Sequence, residues 1–215
     1  MARGFTLIEL MIAMVIMLVF TMVTVEISAN VFNSNTRSIQ MIQLSNEMRS
    51  AIQVISRDIR RAGYNDDALA GLMATQAINS GVTMGAPDVN GIANCLRVQY
   101  DDLEGDQQQV VYRLRVVNLV GRVSAHYEAD ASCDTALDDD DWVDISDPLL
   151  THVSALEFGL SSHLTDISEN TSNGNMIRVG VEQISITISA TLRNDATVVR
   201  SISNEVQIRN QYLTV

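Results

Sequence analysis

The chain has 215 residues, 47% of them hydrophobic and 19% charged, with 2 Pro and 11 Gly; this suits one folded domain with an apolar anchor and excludes disordered and fibrous classes. Its formal net charge of −12 divides unevenly: residues 1–64 carry six Arg against Glu9, Glu26, Glu47 and Asp58 (6 − 4 = +2), leaving 8 basic and 22 acidic residues, or −14, for the rest. A globular part with that charge repels a phosphate backbone, so the balance argues against a nucleic-acid partner.

The first predicted element is an anchor. Leu10 to Val23 carries no charge, and the apolar stretch from Phe5 to Ile27, interrupted by Glu9, Thr21, Thr24 and Glu26, reaches the ~20 residues a helix needs to cross a bilayer. A secretory signal peptide has a basic start, a shorter apolar run and a small-residue cleavage site behind it. Here only Met1–Gly4 precedes the run, and Val25–Asn30 fits such a site poorly, so the segment is expected to be retained. Arg3, the only charge in front of it, favours a cytoplasmic N-terminus with the remainder outside. Glu9 stands out: a carboxylate inside an apolar span costs ~2.5 kcal/mol or more and marks a function or a specific partner, unless it is solvated among the headgroups.

Beyond Ile27 the apolar residues become periodic. Met41, Leu44, Met48, Ile52, Ile55 and Ile59 are spaced 3, 4, 4, 3 and 4, which marks one face of an amphipathic helix. No Pro interrupts Phe5 to Ala62 and Gly63 is placed to cap the end, so one helix of roughly 85–90 Å is expected. Its first half would span a membrane or form a filament core; its second half would pack on a globular domain. A coiled coil is less well supported, because charge pairing at the flanking positions is not evident. Arg57, Arg60 and Arg61 meet the negative end of the helix dipole.

Tyr64 to Asn94 is polar and irregular, read as a connection with a short helix near Ala68–Ala77. Strand patterns follow. Leu96, Val98 and Tyr100 alternate with polar residues, then Val110, Tyr112, Leu114 and Val116 do so after an acidic loop, which suggests a hairpin. Leu156, Phe158 and Leu160 form a shorter run. Ile184, Ile186, Ile188, Ala190 and Leu192 form the clearest, and Arg193–Thr197 turns the chain into Val198–Ile208. Together they imply an antiparallel sheet packed on the amphipathic half-helix. Cys95 and Cys133, the only cysteines, most simply form one disulfide in an oxidising compartment, the alternative being two buried thiols. Asp138, Asp139, Asp140 and Asp141 could offer oxygens to Ca²⁺, but their spacing departs from the EF-hand loop and a solvated acidic loop explains them better. Trp142 beside them is expected in the core. His126, His152 and His163 stand apart without metal-ligand spacing, and no nucleophile elbow, paired-cysteine motif or phosphate loop occurs, so neither an enzyme nor a cofactor is implied.

Gly4-Phe5-Thr6-Leu7-Ile8-Glu9-Leu10-Met11-Ile12-Ala13 resembles the processing motif of type IV prepilins and pseudopilins. The resemblance implies an α+β type IV pilin fold and cleavage by prepilin peptidase after Gly4. It also implies N-methylation of the new N-terminal Phe5, and pairing of Glu9 with a neighbouring subunit's terminal ammonium during assembly. Arg57-Asp58-Ile59-Arg60-Arg61-Ala62-Gly63-Tyr64 and the closing Val206–Asn210 resemble PilW-type minor pilins, and similar runs occur in the minor pseudopilin J of type II secretion. Major pilins of the family place a disulfide loop near the C-terminus, and nothing after Cys133 could form one here. The implied division is a leader at 1–4, a transmembrane or filament-core helix at 5–28, an amphipathic half-helix at 29–63, a connection at 64–95 and a β-sheet head at 96–215.

The leading expectation is a minor pilin that primes or caps a type IV pilus and supports twitching. Its implied partners are other minor and major pilins, prepilin peptidase and the inner-membrane assembly machinery. It would sit in the inner membrane as a single-pass protein with a periplasmic head before entering the pilus. The alternatives are the minor pseudopilin J, a pilus-associated adhesin or DNA-uptake subunit, and a membrane-anchored periplasmic enzyme.

Overall fold

The computed structural model describes residues 6–64, 81–102, 105–128, 131–134, 141–166, 178–208 and 212–214. It divides into two compact units, Met1–Gln43 and Leu44–Val215. Helix α1 (Leu7–Arg61) contributes to both.

In the first unit every large apolar side chain from Leu7 to Ile27 is exposed, with Val23, at 49%, the most covered. The hydroxyls that interrupt this surface are satisfied within the helix. Thr21 donates to the carbonyls of Met17 and Leu18 (3.0 and 2.9 Å), and Thr24 to those of Phe20 and Thr21 (3.0 and 2.9 Å). Ser28 donates to Thr24 O at 2.8 Å. A polar group that finds its partner one turn back adds little cost in a non-aqueous setting, which is why these residues do not spoil an anchor.

In the second unit the last turns of α1 bury Leu44, Met48, Ala51, Ile52, Ile55 and Ile59, on the face expected from the spacing; Met41, on the first unit's side of the division, is half-buried. Among the described residues two five-stranded antiparallel sheets stand where one was expected. The first has the order β1-β3-β4-β5-β6, with β1 Val82–Met84, β3 Cys95–Asp101, β4 Gln107–Val117, β5 Val120–Tyr127 and β6 Trp142–Asp144. The second has β2 (Ile92–Ala93), β7 (Thr151–Asp166) and β8 (Arg178–Leu192) side by side. β9 (Val199–Gln207) and β10 (Tyr212–Thr214) share the far edge of β8. β1 and β2 fall in the stretch read as a connection, being too short to show alternation; the helix expected near Ala68–Ala77 lies outside the described residues.

A bulge between Val153 and Ala155 disturbs the β7 ladder, and there β5 meets it: Gly121 N donates to His152 Nδ1 at 3.0 Å. A Cβ on Gly121 would stand 1.9 Å from Val153 O, so only glycine permits this approach.

Register sorts the first sheet into two faces, since paired residues share a face and neighbours alternate. Leu96, Tyr112 and Ala125 stand opposite one another on one face; Arg97, Val111, His126 and Trp142 do so on the other. The first face receives α1, and both faces have buried residues.

Candidate functional site

The helix starts on a reciprocal pair. Thr6 N and Thr6 Oγ1 both donate to Glu9 Oε2, at 3.0 and 2.9 Å, and Glu9 N donates back to Thr6 Oγ1 at 3.4 Å. Thr6 is the N-cap and Glu9 the third helical residue of a capping box, which satisfies donors that the first turn would leave open. The carboxylate is thus oriented by its own helix, with Oε1 accepting no bond among the described residues. Gly4 and Phe5, the expected cleavage and methylation positions, lie outside the described residues. Sequence reasoning singled out Glu9 and passed over Thr6, although the spacing Thr-x-x-Glu ahead of an apolar run is itself a helix-start signal.

A second cluster forms where α1 ends. Asp58, 2% exposed, accepts a hydrogen bond from Tyr112 Oη at 2.5 Å, and Arg57 Nε lies 3.4 Å from its other oxygen. Arg61 covers the Tyr100 ring at 4.4 Å, and Ala62 is buried. Gly63 takes a left-handed φ of 68° and donates to Gln99 O at 2.9 Å; Tyr64 O accepts from Asp101 N at 2.9 Å. The run from Arg57 to Tyr64 therefore does more than face the helix dipole: it joins α1 to β3 and β4. Burial pushes the hydroxyl of Tyr112 far above the ordinary tyrosine range, with the Asp58 charge adding to the effect; burial likewise raises Tyr100 and Tyr127.

The other expected residues are spread out. Cys95 and Cys133 are joined in a disulfide with Cα atoms 5.9 Å apart, packed with Val111, Ala131 and Trp142 on the face away from α1. Trp142 is 7% exposed, between the His126 ring (centroids 5.2 Å apart) and Arg115 (5.3 Å). Asp138, Asp139 and Asp140 lie outside the described residues; Asp141 is exposed in the turn before β6. Among the described residues no group of three or more His, Cys, Asp or Glu could hold a metal ion.

His126 is buried with Nε2 3.3 Å from Glu128 Oε2, His152 accepts from Gly121 N, and the His163 side chain is outside the described residues. A shallow hollow of about 310 Å³ is lined by Pro87, Asp88, Ile92, Asn94 and Glu157 among others. Its acid Asp88 is committed to a turn: the backbone N–H groups of Ile92 and Asn90 hold its carboxyl below the usual carboxylate range.

A family model described as prepilin peptidase-dependent protein B matches residues 37–208, well over half of the chain. Another, described as the prokaryotic N-terminal methylation motif, matches residues 1–25. No curated protein and no solved structure matched this chain.

Proposed function

Because the chain belongs to the prepilin peptidase-dependent protein B family and opens with the N-terminal methylation motif, we propose that it is a minor pilin that primes or caps a type IV pilus. It is a membrane-anchored, pilin-like protein of α+β fold, dependent on prepilin peptidase. In the proposed sequence of events the peptidase cuts after Gly4, and Phe5 becomes the methylated N-terminus. Residues 5–28 hold the subunit in the inner membrane, with the head in the periplasm. Neighbouring subunits then exchange the lipid around these residues for one another.

The observation that carries this reading is the Thr6–Glu9 pair at the start of a helix whose large apolar side chains are exposed from Leu7 to Ile27. A carboxylate there needs partners wherever water is excluded. The capping box supplies neutral donors while the subunit is alone, and the ammonium of an adjacent Phe5 supplies the missing charge on assembly. Register then follows from chemistry, because sliding one helix past another separates that pair. The minor role rests on the disulfide, which sits between β3 and the β5–β6 crossover and leaves the C-terminal strands without a loop of their own. The reading assigns the chain no catalysis; its other partners are major and minor pilins and the inner-membrane assembly machinery.

Two measurements on cells test it. The mature N-terminus should have the mass of a chain starting at methylated Phe5, and Glu9→Gln should abolish or sharply reduce surface pili and twitching while the protein remains in the membrane. Retention of residues 1–4, or normal piliation with Gln at position 9, would refute it. A secretion defect with pili intact would instead assign the chain to a type II system as a minor pseudopilin.

A further inference from the structure

The turn between β4 and β5 is built against local preference. Val117 and Val120 close a two-residue hairpin around Asn118 and Leu119, whose φ values of 51° and 63° lie in the left-handed region. Such a turn favours Asn-Gly, because a Cβ at the second position crowds the backbone. Asparagine suits the first position; leucine does not suit the second. Leu119 is moreover 90% exposed, so its side chain gains almost nothing from the packing of the head. Val116, beside the turn, is exposed as well. The tip is firmly held all the same: Val120 is buried, and Gly121 donates to His152 and lies close against the Val153 carbonyl of β7. A residue kept in a strained conformation on a rigid support, with no packing of its own to justify it, points to a function.

A surface of matching chemistry stands on α1. Past the apolar stretch that ends at Ile27, Phe32, Ile39 and Ile42 are exposed, spaced 7 and 3 and so on one side of the helix. Asn35, three residues from Phe32 and four from Ile39, is exposed and shorter than either, which leaves a hole of the kind a leucine knob fills in helix packing. The stripe lies beyond the ~20 residues that a bilayer covers, where exposed apolar surface marks an interaction site. It also continues the apolar surface from Leu7 to Ile27, on which neighbouring subunits pack in the reading above.

We propose that the β4–β5 tip of one copy docks on the Phe32–Ile42 stripe of a second copy of this chain, with Leu119 seated over Asn35 between Phe32 and Ile39. The docking rests on the reading of the chain as a fibre subunit and adds a head-to-helix contact to it. The two surfaces differ, so the contact is head-to-tail and can repeat from copy to copy. A braced hairpin tip and a helix side are both ordered beforehand, which lowers the entropy lost when they meet.

The test uses the full chain, purified from its cells and reconstituted in phosphatidylcholine vesicles with its native disulfide intact. Chains carrying Val116→Cys and chains carrying Ile39→Cys, placed in the same vesicles with a short bismaleimide, should form mixed dimers. Val199→Cys, at an exposed position of β9, should not do so with Ile39→Cys. Leu119→Gly, added to the Val116→Cys chain, should move two readouts in opposite directions. The urea midpoint by Trp142 fluorescence should rise, because glycine relieves the left-handed turn, while the yield of mixed dimers should fall about tenfold. Absence of mixed dimers, an equal yield with Val199→Cys, or a yield unchanged by Leu119→Gly overturns the docking. So does a lowered midpoint, which would give Leu119 a place in the packing of its own head. An environment-sensitive dye on Leu119→Cys that shifts to the blue at one chain per vesicle assigns the tip to lipid and overturns it too. The mass of the mature N-terminus separates the two ideas. Methylated Phe5 without mixed dimers overturns the docking alone; an unprocessed start overturns the fibre reading on which it rests.

Discussion

Tyr112→Phe is the sharpest perturbation of the head. The substitution removes one oxygen from a fully buried ring, so it leaves almost no cavity; what it takes away is the 2.5 Å hydrogen bond that Asp58 Oδ2 accepts. Asp58 is 2% exposed, and its nearest cation, Arg57, has a side chain 68% exposed to solvent, where an ion pair contributes little. Losing a hydrogen bond to a buried charge costs about 1.5–3 kcal/mol, and stripping a buried charge of its partner up to about 5 kcal/mol. Since Arg57 remains, the lower range applies: about 2–3 kcal/mol, or roughly a 4–12 °C fall in Tm for a unit of this size. Asp58→Asn should cost less, because its amide oxygen still accepts from Tyr112. Asp58→Leu combined with Tyr112→Phe should cost less than the sum of the two single changes, because no charge is then left stranded. Urea unfolding of the detergent-solubilised full chain, followed by the fluorescence of the single tryptophan, Trp142, reads all four variants. The reasoning fails if Tyr112→Phe unfolds within about 0.5 kcal/mol of the unaltered chain, or if the double variant costs the full sum.

Replacing both Cys95 and Cys133 by Ala opens a loop closed over 38 residues, which should destabilise the head by about 4 kcal/mol on chain entropy alone; an unchanged urea midpoint by Trp142 fluorescence would contradict this. The head should also be labile to alkali. Tyr100, Tyr112 and Tyr127 have folded pKa values raised above their unfolded values, so their contribution is intact below the unfolded tyrosine pKa of about 10 and is lost as pH rises above it. Absorbance at the phenolate band should therefore lag free tyrosine and then rise together with loss of the Trp142 signal. A tyrosine titration of ordinary shape with the head still folded would count against it.

What the sequence made legible depended on whether a segment is covered on one side or on both. The amphipathic part of α1 and the β8 run Ile184–Leu192 each bury one face, so their periods of 3.6 and 2 survive in the residue order. β5 has buried residues on both faces, including Ser124 and His126, and so has no alternation to detect. Its turn from β4 is also cryptic. Asn118 and Leu119 take left-handed φ values of 51° and 63°, the pattern of a two-residue hairpin, without the glycine that normally announces one. β7 appeared shorter than it is because the bulge between Val153 and Ala155 shifts the inward positions from Val153 to Leu156. At the helix start, Glu9 was conspicuous because a charge in an apolar run is costly. Thr6 was not, because a threonine at a helix boundary is ordinary. The burial of Asp58 was invisible for a related reason: among three nearby arginines it looks like a surface counter-ion, and only the position of Tyr112, 54 residues later, shows otherwise.

The two family matches, residues 1–25 and 37–208, do not overlap, and the second begins just ahead of the Leu44–Val215 unit. That division follows from what each part must satisfy. The anchor must suit prepilin peptidase and present an apolar surface with one acid at a fixed place; almost any apolar order serves between Leu10 and Val23, provided each hydroxyl finds its own carbonyl. The head meets its own packing, where substitutions are not interchangeable. A Cβ on Gly81 would lie 2.0 Å from Gly63 N, and Gly63 itself must take a left-handed turn to reach Gln99. The run from Arg57 to Tyr64 falls in the second match because it belongs to this second kind of constraint. It fastens the last turns of the helix to the sheet at Asp58, Ile59 and Gly63 together and not at one point. A subunit whose head must meet a specific neighbour at a fixed height gains from such a joint, because a loosely held head would spread each contact over many orientations and lose the entropy needed to choose one.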